Sequence, residues 1–514
     1  MKNMRVFLHE IAIFLNILLF VSSNDTRNQN IGDLFRNVNL ENCLIQNIPR
    51  SQIYSSTSNK EKYDYARYSQ NNRISRYPRV IVSVNNTEHI SHSLRCARLY
   101  NVTQVTPRSG GHSYEGYSTC DNCLLIDLRY MDNLQVDPGS KEIIAQPGLL
   151  LGHLNYQLWT NHKIVIPTGS CPYVGLGGYV LGGGYGFMSR KFGLLADSVL
   201  EFKMVDYKGD VIIANQTVNS DLYWANRGAG GSQFGIVTEI KIQGYNLDAE
   251  EIIYFAIYYD INFFKEAVLW FEKHALSAPP ELGFELVVSA YDQLAEIKGY
   301  FQGTETELRK WMEDTKIRKF APTLKEVMFH FDYIEYLLHA GFMSNRPELL
   351  KERFPNSPKS PFKHVSAMSK RPVSVKMLSE IEAKLQELPW EYIDKTDSGV
   401  FLVFAPYGGK ITALNDTDTA FPHRQGVRFM MQLGFYWNEN LQTQENVESV
   451  LKWQSEAKKI VMQDLEGAYQ NYADAGLKDH LTDYYGINVP RLKKIKSIYD
   501  PKNLFNFEQS IPVS

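Results

Sequence analysis

Hydrophobic and polar positions change their period from one segment of the chain to the next. Between residues 79 and 245, short aliphatic runs such as 80–84 and 199–205 alternate with stretches such as 87–100, where apolar residues recur every three or four positions. Runs of the first kind predict strands, and the helical period of the second predicts helices. The alternation predicts an α+β domain, with Thr87 as the N-cap of its first clear helix.

The same criteria place the remaining elements. In the first part, strands are expected at residues 102–106, 124–128, 142–146, 164–166, 211–214 and 236–242, and helices at 149–159 and 221–226. In the second part, strands are expected at 252–259, 296–301, 400–406 and 427–435, and helices at 262–276, 305–314 and 447–461. This second pattern predicts an antiparallel sheet covered by helices on one face, followed by a helical tail.

The N-terminus has the pattern of a secretory signal peptide, residues 1–23. Lys2 and Arg5 precede a short apolar run at 11–21, and small residues follow it at a possible cleavage site. The run is too short to anchor the chain in a membrane, and no later run of about 18 apolar residues is present. We therefore expect a secreted protein without a membrane anchor. Glycosylation sequons begin at Asn24, Asn85, Asn101, Asn215 and Asn415.

Composition narrows the possible partners. The 514 residues are 44% hydrophobic and carry a net charge of −3, as expected for a globular protein of two or three domains. No nucleic-acid partner is expected, and the basic run 491–496 is interpreted as a solvated helix face or as support on the cofactor side. The chain has neither an HExxH nor a G-x-S-x-G motif, and no metal site is predicted.

Five cysteines leave one thiol without a partner in an oxidising compartment. Cys120 and Cys123 could form a local disulfide, although the pair could also be half of a zinc site. Cys43 and Cys96 then form the expected long-range disulfide. Cys171 remains, and a free thiol in a secreted protein indicates that something else occupies it.

Cys171 lies in a segment that is unusually rich in glycine. Between Gly169 and Gly186, eight of eighteen residues are glycine. The spacing fits neither a dinucleotide fingerprint nor a P-loop, and the interleaved apolar residues argue against a flexible linker. An ordered, buried loop is expected. A second loop, PRSGGHSYEG at 107–116, presents consecutive amides that could bind a pyrophosphate, with His112 beside them.

These loops and five further motifs resemble the berberine bridge enzyme-like, FAD-linked oxidases, whose flavin domain is of the PCMH type found in the vanillyl-alcohol oxidase superfamily. The matching segments read RSGGHSYEG, GSCPYVGLGGYVLGGGYG, DLYWANRGAGGSQFGIVTEI, FLVFAPYGG, FPHRQGVRFMMQLGFYW, NYAD and YYGINVPRLKKIKSIYDPKNLFNFEQS. The resemblance implies a two-part FAD-binding domain at 24–245, a substrate domain at 246–465, and a C-terminal segment at 466–514 that returns to the FAD domain.

The resemblance also implies how the cofactor is held. His112 would bond the 8α-methyl group of FAD and Cys171 would bond C6, which gives the unpaired thiol a role. Arg108 would serve the loop or the phosphates. The other residues expected around the cofactor are Ser109, Gly110, Gly111, Ser113, Val174, Gly177, Gly178, Gly182, Gly183, Gly184, Asp197, Ile236 and Val237.

By the same resemblance, Tyr472 would take the proton of the substrate hydroxyl, and Tyr114, Tyr185 and Gln432 would position the substrate. A tyrosine acts as a base near neutral pH only if its pKa falls well below 10, which requires a nearby cation or donor. Relatives often supply a lysine where this chain has Met430. Arg428 would share a strand face with residue 430, and we expect it to substitute.

Two further positions bear on the chemistry. Tyr179 stands where relatives often carry histidine near the ribityl chain. Val174 stands at the position that gates oxygen, and a small residue there resembles oxidases, so O2 is the expected acceptor and H2O2 the product.

The preferred hypothesis is a monomeric oxidase that acts on an alcohol carbon of a sugar or of an aromatic alcohol such as a cyanohydrin. One alternative is carbon–nitrogen oxidation or oxidative ring closure, as in the alkaloid members. These often use a carboxylate base where this chain has Gln432. The other is a catalytically silent flavin-binding defence protein.

Overall fold

The structure is a computed structural model that describes residues 39–231, 233–249, 251–344, 346–353, 359–388 and 399–514. The predicted signal peptide and the sequon at Asn24 lie outside the described residues. No helix within these ranges is long and apolar enough to cross a membrane.

The first part of the chain mixes strands and helices, as the alternating pattern predicts, and contains two larger sheets and a two-stranded one that pairs Ile164–Val165 with Tyr245–Asn246. A four-stranded sheet has the order Ile53–Tyr54, Val80–Ser83, Leu124–Asp127 and Val105–Arg108, and its last three strands are parallel. An antiparallel five-stranded sheet has the order Leu134–Asp137, Glu142–Ala145, Ile236–Gln243, Val199–Val205 and Val211–Asn215. The helices of this part span Lys60–Arg67, Thr87–Leu99, Leu151–His162, Leu176–Leu181, Ser189–Phe192 and Ser220–Ala225.

The second part is built on one antiparallel sheet of seven strands. Its order is Lys325–Phe331, Ile252–Asp260, Leu294–Phe301, Leu282–Ser289, Gly399–Pro406, Phe429–Tyr436 and Phe362–Ser369. The helices Phe264–Ala275, Glu305–Asp314, Val375–Gln386 and Gln444–Val461 bury their apolar side chains in one core with this sheet. A further helix spans Tyr333–Ala340. The fold class is therefore confirmed.

The C-terminal tail packs on the first part of the chain. Its helices span His480–Tyr485 and Val489–Tyr499. Tyr485, Leu492 and Ile495 are buried in the same core as the five-stranded sheet. The ammonium group of Lys496 is fully buried and donates to the carbonyl oxygens of Gln233 and Phe505 and to Asp500. Of the two interpretations of the basic run, a solvated face does not hold for Lys496, which supports the fold from inside.

Some elements differ from the sequence prediction. The N-cap of the helix Thr87–Leu99 is Asn86, because its extended backbone lets its side chain accept a hydrogen bond from the His89 amide at 2.8 Å. The strands at 134–137, 282–289, 325–331 and 362–369 and the helices at 333–340 and 375–386 were not predicted. Strand 362–369 is buried along its whole length although it contains Lys363 and His364, so it lacks an alternating pattern.

The predicted disulfides are both confirmed. Cys43 bonds Cys96 and Cys120 bonds Cys123, which excludes a zinc site at the second pair. Cys171 is the free cysteine among the described residues.

A buried ion pair joins the two parts of the chain. Arg424 is 0% exposed and donates from both terminal nitrogens to Asp197, at 2.6 and 3.0 Å. It also donates to Thr419 and to the carbonyl oxygen of Phe421. Removal of one member of such a pair leaves a buried charge without its main partner.

We therefore expect Arg424→Met to lower the free energy of unfolding by about 3–5 kcal/mol. Arg318→Met is the matched control, because Arg318 also makes two hydrogen bonds to one carboxylate, Glu326, but both side chains are partly exposed. Its loss should cost about 1 kcal/mol or less. Chemical denaturation of both variants measures the difference, and equal losses would contradict the importance of the buried pair.

Candidate active site

A single cavity of about 860 Å³ brings most of the predicted site residues together. Its wall combines the two glycine loops, the face of the seven-stranded sheet opposite the helices, and the tail around residues 469–473. The predicted residues that line it are Ser109, Gly110, Gly111, His112, Ser113, Tyr114, Cys171, Val174, Gly177, Gly178, Tyr185, Val237, Gln432 and Tyr472.

Six of the expected cofactor residues are not part of this wall. Arg108 lies beneath Gly111 and donates to the carbonyl oxygen of Tyr68, and burial lowers its pKa to about 10. The Asp197 carboxylate accepts two hydrogen bonds from Arg424. The remaining four, which belong to a turn or to the sheet core, are Gly182, Gly183, Gly184 and Ile236. Arg108 therefore serves the loop, one of its two expected roles. Contact of these six residues with the cofactor stays a prediction.

The two glycine loops contact each other backbone to backbone. A Cβ atom on Gly110 would lie 2.5 Å from the Gly175 nitrogen and 2.9 Å from the Tyr173 carbonyl oxygen. Both distances are shorter than a van der Waals contact allows. The Ser109 hydroxyl donates to the Pro147 carbonyl oxygen behind them. Glycine is required here because no side chain fits between the loops.

Gly178 has the opposite environment. It is exposed to the cavity, and an added Cβ would meet nothing within 4 Å. Three buried polar groups of cavity-lining residues have no hydrogen-bond partner within the described part of the chain: the hydroxyls of Tyr117 and Ser118 and the amide oxygen of Gln470. Buried polar groups in native proteins are normally satisfied. This wall therefore fits a large ligand with polar groups, such as a dinucleotide.

His112 and Cys171 meet in the same cavity. The Nε2 atom of His112 lies 3.5 Å from the Sγ atom of Cys171, although 59 residues separate them in the chain. Burial lowers the pKa of His112 to about 4 and raises the pKa of Cys171 to about 11. At neutral pH the imidazole therefore keeps a free lone pair, and the thiol keeps its proton.

Three of the four predicted substrate-side residues form one cluster. The Gln432 amide nitrogen donates to the Tyr114 hydroxyl at 3.3 Å and to His364 Nδ1 at 2.8 Å. The rings of Tyr114 and Tyr472 are stacked, with centroids 5.3 Å apart and 4° between their planes. Tyr185 lies elsewhere on the wall and donates to the Pro406 carbonyl oxygen at 3.0 Å.

His364 is a member of this cluster that the sequence did not reveal. It is 2% exposed, and the rings of Tyr114, Phe362, Phe401 and Tyr436 surround it. Burial, helped by the nearby charge of Lys363, lowers its pKa to about 3. It is therefore a neutral imidazole, able to accept the hydrogen bond that holds the Gln432 amide.

Arg428 does not supply the cation that was expected beside Tyr472. The Arg428 guanidinium lies 3.2 Å from the carboxylate of Glu272, on the helix that covers the sheet, whereas Met430 and Gln432 line the cavity. Burial and the neighbouring Tyr469 and Tyr185 raise the pKa of Tyr472. The prediction that Arg428 replaces the missing lysine is therefore wrong, because its side chain points to Glu272.

A charged group at the outer end of the cavity was also missed. Lys298 lies 3.1 Å from Glu296 and 3.7 Å from Glu285, and all three line the cavity. Glu285 belongs to the strand Leu282–Ser289, which the sequence pattern did not predict, directly opposite Lys298 in register. Phe342, which is 86% exposed, lies beside them.

The chain is similar to known proteins over most of its length. A model of the FAD binding domain matches residues 78–215, and a model described as "Berberine and berberine like" matches residues 468–512. Berberine bridge enzyme-like 12 of Arabidopsis thaliana is 30% identical over 475 residues, which cover 85% of this chain and 84% of that protein. An FAD-linked oxidoreductase of Bacillus subtilis is 28% identical and covers 89% of this chain and 96% of its own.

Solved structures agree with these matches. BBE-like 1 of Physcomitrella patens superposes with a TM-score of 0.84 at 28% identity, and a chitooligosaccharide oxidase with 0.81 at 26%; each covers 92% of this chain and 99% of its own. The chain belongs to the berberine bridge enzyme-like family of FAD-dependent oxidoreductases, and the predicted family, enzyme class and use of FAD are confirmed.

The glycines give a test of where FAD lies. Gly110→Ala should displace the loop 107–116, lower the thermal unfolding midpoint and reduce the bound flavin, because its methyl group meets backbone that cannot move aside. Gly178→Ala should leave the flavin-free protein intact or about 0.5–1 kcal/mol more stable, since alanine favours a helix interior. Its methyl group would enter the cavity, so bound flavin should still fall.

The measurements are the flavin-to-protein absorbance ratio and the unfolding midpoint of each purified variant. A Gly178→Ala protein with the wild-type flavin content would show that the cofactor does not lie against this glycine.

Proposed function

We propose that this protein is a secreted flavoprotein oxidase that removes a hydride from an alcohol carbon of a small molecule, with O2 reduced to H2O2. The observation that carries the proposal is that one cavity wall holds His112 and Cys171 3.5 Å apart together with the hydrogen-bonded Tyr114–Gln432 pair and Tyr472. The substrate class is a sugar or an aromatic alcohol such as a cyanohydrin. The name of the chitooligosaccharide oxidase among the structural relatives supports a sugar.

FAD is proposed to be bound through two covalent bonds, from His112 to the 8α-methyl group and from Cys171 to C6. When bound, FAD supplies the acceptor for the hydride. The neutral imidazole of His112 has the free nitrogen that such a bond requires. Cys171 is the cysteine that the disulfides leave over. Two attachments would fix the ring system in a cavity that is open to substrate.

On the substrate side, Tyr472 is proposed as the base. Tyr114, Tyr185 and Gln432 are proposed to orient the reacting hydroxyl. The stacking of Tyr114 on Tyr472 holds both phenol rings on one side of the cavity. Because burial raises the pKa of Tyr472, its phenolate must be stabilised by what occupies the cavity during turnover. Val174, a small residue at the position proposed to gate O2, lines the cavity.

Carbon–nitrogen oxidation and ring closure are less well supported, because the amide of Gln432 cannot act as a carboxylate base and already donates to His364. Secretion fits the two disulfides. Asn85, Asn101 and Asn415 are exposed and are the proposed glycosylation sites among the described sequons, whereas Asn215 is half-buried and donates to Glu201. A monomer is proposed.

The covalent attachment has a direct test. Cys171→Ala should still carry flavin into the pellet after acid precipitation, through His112, but with a changed absorption spectrum. The double variant His112→Ala/Cys171→Ala should release its flavin into the supernatant. An unchanged spectrum in Cys171→Ala would exclude the sulfur bond, and free flavin from the denatured wild type would exclude both bonds.

Tyr472→Phe tests the base. A base must be deprotonated, so kcat/KM of the wild type is expected to rise with pH until the pKa of Tyr472 in the working enzyme is passed. Tyr472→Phe should lower kcat/KM by about 100-fold or more and remove this rise. Tyr407→Phe is the control, because Tyr407 is buried and its hydroxyl has no partner.

H2O2 release over a panel of sugars and aromatic alcohols between pH 6 and about 10, a range chosen to span the ordinary tyrosine pKa, gives the profiles. A Tyr472→Phe profile of wild-type shape would assign the base to another group. If no compound on the panel releases H2O2, the silent flavoprotein becomes the better account.

A further inference from the structure

Five charged side chains form a buried network behind the cavity. Lys363 donates to Glu115 and, at 2.6 Å, to Asp474. Arg73 donates to Glu115 at 2.7 Å, and Lys458 donates to Asp474. Lys363 is the central member, since it contacts both carboxylates. The family comparison and the proposed mechanism give none of these five residues a role.

The three central members come from segments that are far apart in the chain. Glu115 belongs to the loop 107–116, Lys363 to the edge strand Phe362–Ser369, and Asp474 to the C-terminal tail. Each is next to, or two residues from, a side chain of the active-site cluster. Glu115 follows Tyr114, Lys363 precedes His364, and Asp474 comes two residues after Tyr472.

Burial limits how far the charged groups of this network can move apart. Lys363, Glu115 and Asp474 are 8%, 5% and 2% exposed. Water cannot replace a lost partner at such sites, so a shift of any one group leaves a charge without compensation. Burial tends to raise the pKa of Asp474, but Lys363 and Lys458 outweigh it and hold that pKa below its ordinary value. The carboxylate is therefore charged at neutral pH.

The backbones at these positions are fixed as well. The Gln454 amide donates to the Lys363 carbonyl oxygen at 2.7 Å. The Asp474 amide donates to the Tyr484 hydroxyl at 2.9 Å, and Gln509 donates to the Asp474 carbonyl oxygen at 2.8 Å. A change in the side-chain contacts of Lys363 or Asp474 therefore shifts the adjoining backbone, which carries His364 or Tyr472.

We propose that Lys363 is a positioning residue: by joining Glu115 to Asp474 it sets the relative positions of Tyr114, His364 and Tyr472. The ammonium group of Lys363 joins three segments that are far apart in sequence. Asn71 and Arg73 also link the loop 107–116 to the strand, through the Phe362 carbonyl oxygen, but neither of them contacts Asp474. The catalytic part of this inference rests on the proposed function, whereas the structural part does not.

The test compares three variants as flavin-loaded enzymes. Lys363→Met removes the charge but keeps the length, and Lys363→Arg keeps the charge. Lys384→Met is the matched control. Lys384 also contacts two carboxylates, Glu387 at 2.9 Å and Glu456 at 2.6 Å, and its side-chain exposure of 12% is close to the 10% of Lys363. It lies on the outer helix Val375–Gln386, away from the cavity.

Lys363→Met is expected to keep its flavin but to lose about 100-fold in kcat, since displacement of reacting groups by about 1 Å has effects of that size. KM should change less than about threefold, because the cavity wall itself remains. Lys363→Arg should recover most of kcat, and Lys384→Met should retain it. Crystal structures of the variants should show the Tyr114–Tyr472 stacking and the Gln432–His364 hydrogen bond disrupted in Lys363→Met alone.

The inference is overturned if Lys363→Met keeps both contacts and the kcat of Lys384→Met, even at a lower unfolding temperature. If the wild type oxidises no alcohol, the proposed function fails, and the crystal structures still decide the positioning. Should Lys363→Met not fold, the charge-balanced double variant Lys363→Met/Glu115→Gln removes one charge of each sign, and the remaining Asp474 carboxylate keeps Lys458 as its partner. The double variant is expected to show the same displacement.

Discussion

The backbone contact between two glycine loops is the constraint on which the active site depends. Gly110 and Gly175 approach so closely that a methyl group on either would clash with the backbone of the other loop. In this arrangement His112 Nε2 lies 3.5 Å from Cys171 Sγ. The same glycine content leaves open space above Gly178. Thus one property of glycine, the lack of a Cβ atom, both closes the loops on each other and leaves room for the cofactor.

The seven-stranded sheet supplies the other wall because its two faces differ in character. One face is buried under four helices in an apolar core. The opposite face presents Glu285, Lys298, His364 and Gln432 to the cavity. Since successive side chains on a strand alternate between faces, a single sheet can contribute to the stability of the core and also place polar groups against substrate.

Burial controls the charges in the cavity. It keeps His112 and His364 neutral by lowering their pKa values to about 4 and about 3, and it raises the pKa of Tyr472. The cavity centre is therefore a set of neutral donors and acceptors. Full charges survive burial where they are paired, as in the network around Lys363 and in the pair of Arg424 with Asp197.

The sequence by itself determined the local features: the glycine loops, the unpaired Cys171, the disulfide pairs and the strands with a clear apolar period. These depend on residues close together in the chain or on simple arithmetic. Tertiary structure decided the rest. Strand 362–369 is buried on both faces although it contains Lys363 and His364. It therefore lacks an alternating pattern, and neither the strand nor the roles of these two residues could be predicted. The Arg428 guanidinium pairs with the Glu272 carboxylate and does not face the cavity. Which partner a polar side chain finds is set by segments that are remote in sequence, and no local pattern encodes that choice.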